Sequence, residues 1–189
     1  NHECTEWLER QCDKLLPVPY FLVTFTIPAQ MRFLAWKFQR IFFESMFKSA
    51  AESLKNLAAK DRFLGGDIGM TGVLHTNNRR LDFHPHIHFM IPAGALDRKL
   101  NHWKRKHWKF LFPVKALGKL FRGKLFNLLK NRIHFPACIW DFDWVVHSEE
   151  TGSGDSTLKY LAKYLYRGVI GEKAIISDSK GKVTFTYID

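Results

Sequence analysis

The chain has 189 residues, 46% apolar and 25% charged, the size and balance of one folding domain, with or without a short appendage, rather than of a disordered segment. No run of about 18 uncharged apolar residues occurs, which excludes a membrane-spanning helix; three cysteines (Cys4, Cys12, Cys138) without a visible secretory signal argue against a disulfide scaffold and for reduced thiols in the cytoplasm. The net charge of +11 is local: Arg98 to Arg132 holds 12 Lys and Arg and no acid, and such a block in a folding chain points first to nucleic acid and second to an anionic membrane surface.

Residues 1–16 are mixed and partly charged, and Pro17 and Pro19 mark a boundary with residues 17–189. Tyr20 to Ile27 alternates aromatic and β-branched residues with Thr and reads as a strand. Gln30 to Lys60 lacks Gly and Pro and repeats Leu34, Phe38, Ile41 and Phe42 at helical spacing, which predicts one helix or two. Gly69 to Thr76 and Phe83 to Ile91 read as an antiparallel hairpin about the polar turn at 77–80. Pro113 opens a second helix with Val114, Leu117, Leu120, Phe121, Leu125 and Leu128 on one face. Ile139 to His147 alternates again and reads as a strand. A helix follows from about Thr157 to Arg167, capped by Asp155 or Ser156, and Val183 to Ile188 is a last strand. Short βαβ repeats with Gly-rich loops are absent, so the order favours an α+β domain: a central antiparallel sheet flanked by helices.

The densest chemistry lies in His84-Pro85-His86-Ile87-His88. Alternate strand residues share a face, so His84, His86 and His88 point one way and Ile87 and Phe89 the other. Two imidazoles at i and i+2 can hold one divalent ion, and imidazole is the commonest metal ligand. Pro85 lacks an N–H and weakens the ladder there, which favours His86 and His88 over His84. A ladder pairing His75 with Asp82 brings His75 to the same face. The pattern also fits the histidine-triad nucleotide hydrolases, in which the middle His is a nucleophile and no metal is needed.

Tyr160 and Tyr164 stand at i and i+4 on one helix face, with Lys163 at its border and Arg167 continuing it. Leu158, Leu161, Ala162 and Leu165 form the apolar face. Taken alone, this is ordinary amphipathic packing with each hydroxyl near the surface. Beside a metal site and a basic surface it supplies what tyrosine transesterification on a nucleic acid strand requires.

The chain resembles the two-tyrosine HUH transposases of rolling-circle bacterial insertion sequences, HUH standing for His, hydrophobic residue, His. The residues that carry the likeness are Leu15 to Phe21 running into Phe25-Thr26-Ile27-Pro28, Gly72 to Thr76, His84 to His88, Phe112 to Lys124, and Leu158 to Tyr164. The resemblance implies an HUH endonuclease-like fold and Mg²⁺ or Mn²⁺ on His86, His88 and a third ligand, for which His75 is the candidate. Tyr160 or Tyr164, assisted by Lys163, would attack single-stranded DNA at transposon ends, leaving a 5′-phosphotyrosine link and a free 3′-OH. Lys104, Arg105, Lys106, Lys109, Lys119, Arg122, Lys124 and Arg167 are the expected DNA contacts. The setting would be the cytoplasm, at the nucleoid. The chain also departs from the family. Residues 1–16, with only Cys4 and Cys12, resemble the remainder of a zinc-binding region, with no structural zinc expected. Asn77-Asn78 stands where Trp-Gly is usual, and the catalytic domain, 17–189, is expected to be cut at its C-terminus. A DNA-binding remnant without activity is the third reading.

Overall fold

The computed structural model describes residues 2–78, 80–105, 111–135, 141–142, 144–166 and 174–186, with side chains to residue 162 in the last helix before residue 167. The elements are α1 (His2–Cys12), β1 (Tyr20–Thr26), α2 (Arg32–Lys37), α3 (Gln39–Lys60), β2 (Thr71–Asn77), β3 (Phe83–Pro92), β4 (Gly94–Asp97), β5 (His102–Arg105), α4 (Val114–Leu129), β6 (Val146–Glu150), α5 (Asp155–Tyr166), β7 (Ile175–Ser179) and β8 (Lys182–Phe185). Four strands form one sheet in the order β2-β3-β1-β6, every pair antiparallel. The expected α+β class with a central antiparallel sheet is what the chain adopts.

The alternation of β1 and β3 divides the molecule into two layers. Phe21, Val23 and Phe25 of β1 and Ile87, Phe89 and Ile91 of β3 join one core with Phe42, Met46 and Leu54 of α3 and Leu117, Phe121 and Leu125 of α4. The ring of Phe121 meets Phe25 edge-on at 5.1 Å. Burying side chains of this size supplies about 1.5–3 kcal/mol each, so this face carries most of the folding energy. On the other face Tyr20, Leu22, Val73 and Met90 pack with Leu158 and Leu161 of α5, and Trp7 and Leu8 of α1 pack against them.

The helix expected over 30–60 is two helices. Phe38 leaves helical geometry (φ −122°, ψ 40°), so α2 turns over the end of β3, with Trp36 against Phe83 at 5.1 Å, while α3 lies along the sheet. In the hairpin the pairing differs from the sequence reading: His75 faces His86, not Asp82, because the turn lies further along the chain, with the Asn78 N–H on the Asp82 carbonyl, and a register shift between His75 and Asn77 adds one residue more. The turn needs the extra length. Asn78 Oδ1 accepts the backbone N–H groups of Arg80 and Asp82, and Leu81 takes a positive φ of 67°. The Asn77-Asn78 pair that departs from the family pattern is thus the turn-forming element itself.

The strand expected over 139–147 begins only at Val146; Ile139, Trp140 and Asp143 lie outside the described residues. Before Val146, Trp144 serves packing. Trp144 sits 5.4 Å from Phe121, and a Cβ on Gly118 would come 2.6 Å from the Trp144 carbonyl oxygen. The buried stripe of α4 is Leu117, Gly118, Phe121, Leu125 and Leu129, leaving Val114 exposed. The last helix begins at Asp155 rather than Thr157, and the last strand covers Lys182–Phe185, with 187–189 outside the described residues. Four elements have no counterpart in the sequence reading: α1, the two strands of the β4–β5 hairpin, and β7. Among the described residues no helix is long and apolar enough to cross a membrane.

Candidate metal centre and tyrosine helix

Three of the sequence-selected histidines converge. His75 on β2 and His86 and His88 on β3 share the α5 side of the sheet, with ring centroids 4.5 to 5.0 Å apart. One nitrogen from each lies within 4.8 Å of the others, a grouping able to hold a metal ion. His84 stands apart. Its Nδ1 meets Arg32 Nη2 at 2.6 Å, which ties it to α2, and it lies outside that group.

Hydrogen bonds prepare two of the rings. His86 Nδ1 lies 2.7 Å from the His84 carbonyl oxygen; a carbonyl only accepts, so Nδ1 carries the proton and Nε2 offers a lone pair. His88 Nδ1 lies 2.8 Å from Thr24 Oγ1, which orients that ring, and His88 Nε2 is buried without a hydrogen-bond partner. A buried imidazole nitrogen left this way costs free energy, and a cation between the rings would satisfy it. The protonation states agree. Burial lowers the His75 pKa to about 4, with His86 adding repulsion, and burial, then His75 and His86, lowers His88 to about 3. Burial also lowers His86, partly opposed by its bond to the His84 carbonyl. All three are therefore neutral at pH 7, the form that binds metal. The donor set fits a divalent cation.

Helix α5 lies over this cluster. Leu158, Leu161 and Ala162 anchor it to the sheet, and α1 braces its far side through Cys4 Sγ at 3.7 Å from the Ala162 carbonyl. Gly154, at φ +90°, makes the sharp entry, where a Cβ would come 3.0 Å from the Tyr20 ring. With the leucines facing inward, Tyr160 projects along the sheet. Its ring centroid is 5.9 Å from that of His88 and 6.4 Å from that of His75, and the residue is 38% exposed. A tyrosine beside the histidines, on the same side of the sheet and open to solvent, is what attack on an incoming phosphate requires. The side chains of Tyr164 and Lys163 lie outside the described residues.

The basic residues are dispersed. Lys104 binds Asp97 at 2.7 Å and holds that carboxyl below the usual carboxylate range. Arg105 reaches the Pro17 carbonyl at 3.4 Å. Lys124 pairs with Glu52 at 3.1 Å. Lys119 is exposed and Arg122 half-buried on α4, the helix that packs on the face opposite the histidines. Lys106, Lys109 and Arg167 lie outside the described residues. The structure therefore brings Tyr160 to the histidines and leaves the α4 cations away from them. Sequence reasoning passed over Thr24 and Arg32, the partners of His88 and His84. Thr24 carried a faint signal, a polar residue in the middle of a strand that is otherwise apolar up to Phe25.

The chain is 30% identical over 206 aligned positions to the "Putative transposase y4qJ" of Sinorhizobium fredii (strain NBRC 101917 / NGR234), covering 97% of this chain and 52% of the relative. It is 29% identical to the "Transposase for insertion sequence element IS801" of Pseudomonas savastanoi pv. phaseolicola, covering 97% of this chain and 48% of that one. The chain thus spans about half the length of these curated relatives. Among solved structures it is similar to the conjugative relaxase TrwC in complex with oriT DNA, metal-bound, at 14% identity and a TM-score of 0.46 over 65% of this chain and 47% of that one. The family profile described as "Putative transposase" matches residues 69–189, which include two of the paired histidine strands and the tyrosine helix, and the chain belongs to that family.

Proposed function

We propose that the chain is the nicking core of a transposase that cuts single-stranded DNA at transposon ends through a tyrosine–DNA link. The observation that carries this reading is the Tyr160 ring 5.9 Å from His88, beside three neutral histidines, in a chain of a transposase family. His75, His86 and His88 would hold Mg²⁺ or Mn²⁺. When bound, such an ion withdraws charge from a phosphodiester oxygen and makes the phosphorus more electrophilic. The tyrosine oxygen attacks that phosphorus and loses its proton; the P–O3′ bond breaks, and the leaving oxygen takes up a proton as a free 3′-OH. The phosphodiester is exchanged for a phosphotyrosine ester, so rejoining needs no ATP. Tyr164 supplies a second nucleophile and Lys163 a positive charge for the phenolate or phosphate, while Thr24 keeps His88 in its ligating orientation. The cytoplasm, at the nucleoid, is the setting this chemistry requires.

The test is covalent trapping. Incubated with Mn²⁺ and single-stranded oligonucleotides carrying transposon-end sequence, the protein should yield an adduct that survives denaturing electrophoresis. Tyr160→Phe with Tyr164→Phe should abolish it. An adduct that persists in the double variant, or none from the parent chain, sinks the proposal. Retained hydrolysis of a nucleoside phosphoramidate without adduct would favour the nucleotide-hydrolase reading, and salt-sensitive DNA binding alone the inactive remnant.

A further inference from the structure

Outside the basic block of 98–132, a second cationic surface adjoins the histidine strand. From Lys14 to Phe43 the chain has no Asp or Glu, and its basic residues there are Lys14, Arg32, Lys37 and Arg40. Within this stretch α2 has only Ala35 fully buried. It carries two of the most exposed aromatic side chains in the structure, Phe33 at 69% and Trp36 at 59%. They stand at i and i+3, so they are neighbours on one helix face, and Lys37 lies one turn from Phe33.

This face adjoins the candidate metal site at two points. Trp36 packs edge-on against Phe83 at 5.1 Å, and Arg32 reaches His84 Nδ1 at 2.6 Å, with the His84 ring 5.5 Å from His86. Phe83 precedes His86 by three strand residues, about 10 Å along β3. Exposed aromatics interleaved with cations are the signature of a surface that stacks bases while neutralising their phosphates. A solvated helix face would carry polar residues, and a face meant for an apolar protein partner would not be rimmed by arginine and lysine alone.

We propose that α2 is a base-stacking platform for single-stranded DNA, in which Trp36 and Phe33 hold bases a few nucleotides from the scissile phosphate and Arg32 and Lys37 hold the backbone. The platform rests on the nicking reading for its position but not for its binding. Stacking uses the π-face that every base has, so it tolerates sequence and requires unpaired strands. Recognition of transposon-end sequence must then come from elsewhere.

The experiment is fluorescence anisotropy of the full chain with a labelled oligothymidylate in EDTA, where no nicking occurs. Trp36→Ala should bind roughly tenfold more weakly, and Trp36→Phe should stay within about threefold of the parent chain. Phe33→Ala, at a side chain exposed enough to leave the fold unchanged, should also weaken binding several-fold, roughly. On an abasic strand of the same length, the parent chain and Trp36→Ala should bind alike. The platform is overturned if Trp36→Ala binds oligothymidylate as tightly as the parent chain, or if its defect is equal on the abasic strand. It is overturned too if Trp36→Ala changes only the oligomeric state, which would make the face a contact between copies. A parent chain that yields no adduct, with the Trp36→Ala defect intact, would remove the nicking chemistry and leave the platform standing.

Discussion

Thr24 shows how much of the candidate site depends on a residue that touches no ligand. Its hydroxyl sits 2.8 Å from His88 Nδ1, opposite His88 in the β1–β3 ladder, and so decides where Nε2 points. Partners of ligating histidines are typically worth 10–100-fold in metal affinity. Thr24→Val keeps the shape and removes the hydroxyl, so Mn²⁺ binding followed by calorimetry should weaken by roughly tenfold or more, while Thr24→Ser should restore most of it. His84→Ala is the contrasting case. His84 is held by Arg32 outside the ligand group, and its removal should leave Mn²⁺ affinity within about threefold of the parent chain, since the ring makes no ligand bond. A loss as large as that of His86→Ala would place His84 in the ligand set.

At the scale of the element, Gly118 decides how closely α4 meets the rest of the core. Helix propensity alone favours Gly118→Ala by about 1 kcal/mol. The new Cβ, however, would come 2.6 Å from the Trp144 carbonyl oxygen, a backbone atom that cannot swing aside. Overpacking of this kind typically costs about 1–3 kcal/mol, so the substitution should lower the urea midpoint; an unchanged or raised midpoint would show that the 144–146 segment yields. The same contact explains what could be read from the sequence and what could not. The β1 and β3 alternation was legible because each strand is buried on one face by large side chains and faces the site with polar ones. At Trp144 the alternation comes from packing on Phe121, at Val146 and His147 from pairing with β1, and a period-two pattern does not distinguish the two. The β4–β5 hairpin stayed hidden because Lys104 and Arg105 mask its short strands as part of a charge run. The convergence of His75 and His86 was legible, but their register was not, since the turn adds residues through Asn78 and Leu81.

For the whole molecule, the two faces of the sheet separate folding from chemistry. The α3–α4 face buries most of the large apolar side chains, and the other gathers three neutral imidazoles under α5. That arrangement makes stability depend on pH. His75 and His88 have pKa values of about 4 and about 3 in the folded chain, against about 6.5 when unfolded. Below about 6.5 the unfolded chain therefore binds more protons, and stability falls as pH drops through the folded values. In EDTA the Tm should be level above about pH 7 and decline steadily toward pH 4, and His88→Ala should flatten that decline. A divalent ion on the cluster acts in the opposite sense, because it binds only the folded chain. At a hundredfold excess over its Kd it would add about 2.7 kcal/mol. The Mn²⁺-induced rise in Tm should shrink as pH falls toward about 4, where protons begin to compete with the ion for the folded imidazoles. A Tm rise that is independent of pH, or that survives His75→Ala with His86→Ala, would locate metal binding away from these histidines.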